Sequence, residues 1–124
     1  MKDSKKYDLK DRLIDFVIKV DFITSKLPNN RLGKYIANQM IRSGTSPALN
    51  YGEALASESK RDFIHKLKIA LKELRETSIC FKIIERKPLI KNLEAVRSIH
   101  KENIELISIM VASIKTANRN VQIK

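Results

Sequence analysis

Hydrophobic residues recur at steps of three and four along most of the chain, which is the spacing that places them on one side of an α-helix. Four segments carry this pattern, and we expect helices over about residues 8–26, 31–56, 59–86 and 92–117. Pro28 and Pro88 interrupt the pattern between segments. The connections are short, so consecutive helices should run antiparallel. The pattern therefore predicts one all-α domain, an antiparallel up-down-up-down four-helix bundle.

Three of these segments present a continuous apolar stripe that we expect to face the core. In the first segment the stripe is Leu9, Leu13, Phe16, Val20, Ile23 and Leu27. In the third it is Phe63, Leu67, Ala70, Leu74, Thr77 and Phe81. In the fourth it is Leu89, Leu93, Val96, His100, Ile104, Ile107, Val111 and Ile114. Asn29 or Asn30, Ser59 and Asn92 are suited to cap the helices that follow them.

The second segment differs because small or polar residues, Ser43, Pro47 and Asn50, occupy its inward positions. Small residues let helix backbones approach closely, and a buried asparagine must find hydrogen-bond partners. This pattern predicts the tight centre of the bundle, with Asn50 bonded to a neighbouring helix. We expect Pro47 to kink the helix without ending it, because the pattern resumes in phase at Asn50 and Ala54.

Two helices carry more apolar residues than one buried face requires. Ile14, Ile18 and Phe22 lie opposite the core stripe of the first helix, and Ile99, Leu106 and Met110 form a second stripe on the fourth. Monomers seldom expose such patches, so these six residues predict an interface in a homo-oligomer. The alternative is that lysine and arginine stems shield them.

Composition points to an anionic partner. The chain has 25 Lys and Arg against 14 Asp and Glu, a formal net charge of +11, which favours nucleic acid or an acidic protein. A single cysteine, Cys80, suits a reducing cytoplasm and an inert half-buried thiol. Neither a signal sequence nor a membrane-spanning run is evident, and we expect a frayed tail after Asn118.

The third helix also carries a basic stripe, about 140° from its core stripe on the helical wheel. Its members are Arg61, His65, Lys68, Lys72, Arg75, Lys82 and Arg86. Such a stripe suits phosphates along RNA or DNA, without reading of sequence. The alternative is a solvated face with local ion pairs, such as Glu58 with Arg61 or Lys72 with Glu76.

Residues for catalysis or metal binding are not grouped in any known pattern. Asn50 and Glu53 lie one helical turn apart, and we interpret them as structural because a lone carboxylate lacks an acid–base partner. His65 and His100 lie on different helices, so neither a metal site nor a cofactor is expected. A helical nuclease of the HEPN type is a weaker option, because fewer residues separate Arg61 from His65 than separate the arginine and histidine of that family.

Several short motifs resemble one family in the right order: Arg42-Ser43-Gly44-Thr45-Ser46, Asn50-Tyr51, residues 62–67 and residues 69–73. These match the small bacterial four-helix-bundle proteins, which include proteins encoded by intervening sequences in large-subunit ribosomal RNA genes and the accessory variability determinant of diversity-generating retroelements. Pro47 departs from the family's usual Ile or Val. The resemblance implies a helical bundle, a pentameric ring and a link to RNA-related machinery.

Together these observations predict a non-enzymatic, oligomeric bundle that binds RNA or DNA electrostatically, as an accessory factor to a nucleic-acid enzyme such as a reverse transcriptase. The competing hypothesis is a structural or protein-interaction scaffold whose positive charge serves an acidic protein or solubility.

Overall fold

Four helices make up the part of the chain that the structure, a computed structural model, describes: residues 8–123, with side chains through residue 119. The helices are α1 (Leu9–Thr24), α2 (Arg31–Leu55), α3 (Lys60–Arg86) and α4 (Leu93–Ile123). No strand occurs in this range. The predicted all-α four-helix bundle is confirmed.

Side-chain caps fix where the helices begin. Asp8 accepts a hydrogen bond from the Asp11 amide at 3.0 Å, and Asn30 accepts one from the Gly33 amide at 2.8 Å. Ser59 and Asn92 cap α3 and α4 in the same way. Each cap satisfies a backbone donor that the first helical turn leaves unpaired. These polar residues therefore set the start of each helix.

The helices lie around the bundle in chain order, so α1 and α3 are diagonal, as are α2 and α4. The contact between α2 and α3 is the most extensive and that between α1 and α4 the smallest. Arg12 ties the latter pair together, donating to Glu102 at 2.7 Å and to Glu105 at 2.9 Å. The bundle is thus closed least firmly along the α1–α4 seam.

The centre of α2 is as tight as its small residues predicted. A Cβ atom on Gly44 would lie 2.9 Å from Cγ1 of Val20 on α1. On the other side, Ser43 and Thr77 are both buried and their hydroxyls lie 2.7 Å apart. α2 continues unbroken through Pro47, as expected. The small side chains of α2 therefore let α1 and α3 pack closely against it.

The prediction that Asn50 bonds to a neighbouring helix is wrong. Its side chain is half-buried, and its Nδ2 donates within α2 to the carbonyl oxygen of Ser46 at 3.1 Å and to the Ser46 hydroxyl at 2.8 Å. A residue one turn earlier on the same helix is the nearest acceptor for a short amide side chain. The deeply buried asparagine is instead Asn103 on α4.

The predicted inward face of α4 is right for Val96, His100 and Ile114, which are buried, but wrong at other positions because the helix is rotated about its axis. Ile99, Leu106 and Met110, which we assigned to an oligomer interface, are 9%, 0% and 0% exposed and lie in the core. Ile104, assigned to the core, is 49% exposed. The true core stripe passes through the polar residue Asn103, and the apolar Ile104 beside it was predicted to be buried in its place.

The end of α4 was also misplaced. The helix continues past Ala117 to Ile123, so the residues assigned to a frayed tail extend it, apart from Lys124, which lies outside the described residues. The segment from Asn118 to Ile123 contains neither glycine nor proline, the residues that most often end helices. Nothing in the sequence therefore stops the helix at Ala117.

Candidate nucleic-acid interface

The outward face of α3 carries the basic stripe. All seven predicted residues are exposed: Arg61, His65, Lys68, Lys72, Arg75, Lys82 and Arg86. None forms an ion pair with a carboxylate of residues 8–119. At a rise of 1.5 Å per residue, the stripe is roughly 38 Å long. It is therefore a straight, uncompensated row of positive charge.

The acidic residues of α3 are turned away from this stripe. Glu73 and Glu76 accept hydrogen bonds from Arg42 of α2 at 2.8 and 2.7 Å. Glu85 bonds to His100 of α4 at 2.9 Å. The local pair that we weighed as an alternative, Lys72 with Glu76, does not form in the described structure because Glu76 is bonded to Arg42. Neighbouring helices thus engage Glu73, Glu76 and Glu85, while the fourth carboxylate of α3, Asp62, lines a depression with Glu53 and Lys66.

The fourth helix widens the basic surface beyond the stripe predicted on α3. Four further cations on α4 are exposed: Arg97, Lys101, Lys115 and Arg119. Two depressions lie between α3 and α4 along this side. One, of about 450 Å³, is lined by Glu85, Arg97, His100, Lys101, Ile104 and Glu105. The other, of about 370 Å³, is lined by Arg61, Ile64, His65, Lys68 and Asn118. We call the stripe together with Arg97, Lys101, Lys115 and Arg119 the basic face.

The chemistry of the basic face suits phosphate groups more than bases. Lysine and arginine supply charge-assisted hydrogen bonds to phosphate oxygens. The seven stripe residues and the residues lining the two depressions include no aromatic side chain other than histidine, so a stacking platform for bases is not formed there. Ile79, 55% exposed, is the apolar residue that interrupts the stripe.

Comparison with known proteins gives the chain a family. The model of the 23S rRNA-intervening sequence protein family matches residues 5–112. The chain belongs to that family. A similar solved structure is the crystal structure, at 1.70 Å resolution, of a protein with unknown function from the S23 ribosomal protein family of Bacteroides thetaiotaomicron VPI-5482. No curated protein matches the chain significantly.

That Bacteroides structure is 32% identical to this chain and superposes with a TM-score of 0.80. The alignment covers 87% of this chain and 99% of that one. Neither description names an activity, so the family fixes the fold and leaves the role of the basic face to be argued from its chemistry. The relation to retroelement accessory proteins stays a resemblance of motifs.

In this member of the intervening-sequence family, Glu53 is a structural contact. Its carboxylate accepts a hydrogen bond from Nζ of Lys66 at 2.7 Å, which ties α2 to α3. The same contact raises the pKa of Lys66. Asn50, one turn away, makes bonds only within its own helix in the described structure. The Asn50–Glu53 pair is thus not a joint site.

His100 is the one buried histidine of the described residues, and its partners satisfy it. Ser78 lies 3.0 Å from its Nε2, Glu85 lies 2.9 Å from its Nδ1, and Phe81 stacks on its ring at 5.1 Å between centroids. The order serine–histidine–carboxylate is that of a hydrolase triad. Ser78, however, is only 9% exposed and sits inside a helix whose backbone amides are already bonded. The group therefore holds α3 against α4.

The described residues form neither a metal-binding cluster nor a membrane-spanning helix. No three histidine, cysteine, aspartate or glutamate side chains converge there as they would around a metal ion. None of the helices combines the length and apolarity needed to cross a bilayer. The basic face is the feature of the described structure that most needs a functional account.

Proposed function

We propose that the protein binds RNA or DNA through the basic face, contacting phosphates without reading sequence. The observation that carries this proposal is the stripe of α3, none of whose cations is paired within the described residues, while three of the four carboxylates of α3 are engaged by α2 and α4. A purely solubilising surface gains nothing from such segregation, because mixed charges solvate equally well. An anionic polymer does gain from it.

Length supports a double-stranded partner. The stripe extends roughly 38 Å, close to the 34–36 Å of one duplex turn. A straight row of cations crosses the winding phosphate backbones at a few points, so each protomer should neutralise only a few phosphates. In this role the protein would hold nucleic acid for a separate enzyme.

The test is binding measured by fluorescence anisotropy over a range of salt concentrations. Log affinity should fall linearly with log salt, by about 0.7 to 0.9 for each phosphate neutralised. Replacing Lys68, Lys72 and Arg75 together with Gln should weaken binding to every sequence and make that slope shallower. These exposed residues face away from the core, so helicity should not change.

A matched control separates location from total charge. The triple variant Lys10→Gln, Lys19→Gln and Lys34→Gln removes the same charge from exposed positions on α1 and α2. It should leave the slope nearly unchanged. Equal weakening by both triple variants would mean that net charge alone attracts the nucleic acid. Absence of binding at low salt would favour the scaffold hypothesis.

We also propose that the protein forms a homo-oligomer through the outward face of α1. Ile14, Ile18 and Phe22 are 47%, 64% and 51% exposed, directly opposite the core. Lys26 covers part of Phe22, with its Nζ 5.1 Å from the ring centroid, so one lysine shields one of the three. Covering all three requires another apolar surface, and a second copy supplies it.

Light-scattering mass at micromolar concentration tests the assembly. We expect a mass several times that of the 14.3 kDa chain, with five subunits if the family resemblance holds. A mass equal to that of one chain would reject the proposal.

A further inference from the structure

The two depressions of the basic face differ in charge, and the one at the Arg61 end is lined by no carboxylate of the described residues. Arg61, His65 and Lys68 lie on two consecutive turns of α3, and Asn118 of α4 closes the opposite wall. Ile64 also lines this depression of about 370 Å³. The other depression of the basic face contains two carboxylates, Glu85 and Glu105, beside Arg97 and Lys101. At the Arg61 end, three basic side chains and an amide surround one space, which we call the terminal pocket.

The terminal pocket carries no opposing acid from the described chain. The acidic residues nearest in sequence, Glu58 and Asp62, line a separate depression on the α2 side of α3, together with Glu53 and Lys66. Lys115 and Arg119 are exposed near Asn118 in sequence and add positive charge at this end of α4. Positive charge is therefore more concentrated here than one ordinary backbone phosphate requires.

The chemical group that fits this concentration is a phosphomonoester. A phosphodiester in a chain carries one negative charge, whereas a monoester carries about −1.5 to −2 near neutral pH and presents three terminal oxygens. The planar fork of Arg61 can bond two of those oxygens at once. Lys68 and the Asn118 amide can donate to the remaining oxygen positions.

The position of the terminal pocket says where such a group would come from. Arg61 is the first residue of the stripe and Arg86 the last, so the terminal pocket lies at one end of the row of phosphate contacts. A duplex whose axis follows the row would bring one of its ends there. We propose that the terminal pocket binds the terminal phosphate of a nucleic-acid strand, so that the protein recognises phosphorylated ends. This inference rests on the proposed function of the basic face.

The experiment compares one oligonucleotide sequence with a 5′-phosphate, with a 3′-phosphate, or with hydroxyl groups at both ends, by anisotropy at physiological salt. One phosphorylated form should bind about tenfold more tightly than the hydroxyl form, the factor that corresponds to about 1.4 kcal/mol from an added charge-assisted contact. Equal binding of all three forms would overturn the inference.

Two double variants remove the same two charges from opposite ends of the stripe. Arg61→Gln with Lys68→Gln alters the terminal pocket, and Lys82→Gln with Arg86→Gln alters the far end. Both should weaken binding overall, but only the first should abolish the preference for a phosphorylated end. A preference that survives in the first variant would place the recognition elsewhere and reject the terminal pocket.

Inorganic phosphate separates this inference from the broader proposal. In NMR titrations, millimolar phosphate should shift the signals of His65 and its neighbours in the unmodified protein and in the far-end variant, but not in the pocket variant. If phosphate binds in this way while no oligonucleotide binds, the proposed function fails and the phosphate site stands. If oligonucleotides bind through the stripe without regard to their ends, the terminal pocket is rejected and the proposed function stands.

Discussion

Two helices that lie diagonally across the bundle, α1 and α3, have similar inward faces and different outward faces. Both bury aliphatic residues and one phenylalanine, Phe16 or Phe81, at helical spacing. Outward, α3 presents a row of cations, whereas α1 presents Ile14, Ile18 and Phe22. The inward faces specify the bundle. The outward faces determine what the bundle can contact. That of α3 is suited to phosphates and that of α1 to an apolar surface.

The two helices are also held in different ways. α3 packs extensively on α2 and α4. Polar bonds add to these contacts: Arg42 and Glu53 of α2 and His100 of α4 are each bonded to side chains of α3. α1 packs closely on α2 at Gly44 but meets α4 along the smallest contact of the bundle. A helix that makes less extensive packing contacts opens more readily. α1 is thus the helix whose position would gain most from a further partner on its outside.

The largest effect should come from charging the outward face of α1. Replacing Ile14, Ile18 and Phe22 with Lys puts three like charges into the proposed interface, where burial of unpaired charge is costly. Light scattering should then give the mass of a single chain, while circular dichroism keeps its helical signal because these side chains lie outside the core. An unchanged assembly would move the interface off α1.

Forcing α1 and α2 apart at the point where they approach closely should have the next largest effect. Gly44→Ala places a Cβ 2.9 Å from a methyl group of Val20, a β-branched side chain that cannot easily move aside. Overpacking of this kind costs about 1–3 kcal/mol. Gly52→Ala is the matched control, since its Cβ would have nothing within 4 Å, and it gains about 1 kcal/mol of helix propensity.

In chemical denaturation, the free energy of unfolding should therefore be higher for Gly52→Ala than for the unmodified protein, and lower for Gly44→Ala. Hydrogen exchange adds the regional readout, because Gly44→Ala should speed exchange in α1 more than in α3. Faster exchange spread evenly over all four helices would show that α1 and α3 do not differ in how firmly they are held.

A smaller effect should come from completing the stripe on α3. Ile79→Lys fills its apolar gap with a cation, so binding of nucleic acid should tighten several-fold and the salt slope should steepen by about 0.7 to 0.9. Leu49→Lys adds the same charge to a residue of α2 that is 62% exposed, and it should leave the slope unchanged. Weaker binding by Ile79→Lys would indicate that the isoleucine itself makes a contact.

The smallest effect concerns Cys80, on the side of α3 between the stripe and the core. Burial, with a further contribution from Glu76, raises the pKa of its thiol above the reference value of 9.0. The folded state then holds its proton more firmly than the unfolded state, so this contribution to stability is complete below pH 9 and declines as pH rises further. Denaturation between pH 9 and 10 should show this slope in the unmodified protein and less of it in Cys80→Ala.

The sequence was sufficient to predict where the helices begin and which residues of α3 face outward. The starts of the helices were accessible because Asn30, Ser59 and Asn92 are local signals that act within one turn. The cations of the stripe were accessible because outward positions on an amphipathic helix follow from its period alone. Local chemistry and helical geometry are sufficient for both.

Contacts between helices were the part that sequence could not supply. The pairing of Arg42 with Glu73 and Glu76, which leaves the stripe uncompensated, depends on how α2 and α3 are rotated toward each other. The terminal pocket depends on the register that brings Asn118 beside His65. The local bond of Asn50 with Ser46 competes with an interhelical one, and helical spacing cannot decide between them.

Asn103 settles an ambiguity that the pattern of α4 leaves open. This helix has two apolar stripes, and either could in principle face the core. In the structure, Nδ2 of Asn103 donates to the carbonyl oxygen of Leu74 at 3.1 Å, while its Oδ1 is buried without a partner among the described residues. Turning Ile104 inward would break that bond. The asparagine thus adds little to how strongly α4 packs but discriminates between two rotations of it, so that a sequence compatible with two bundles forms one.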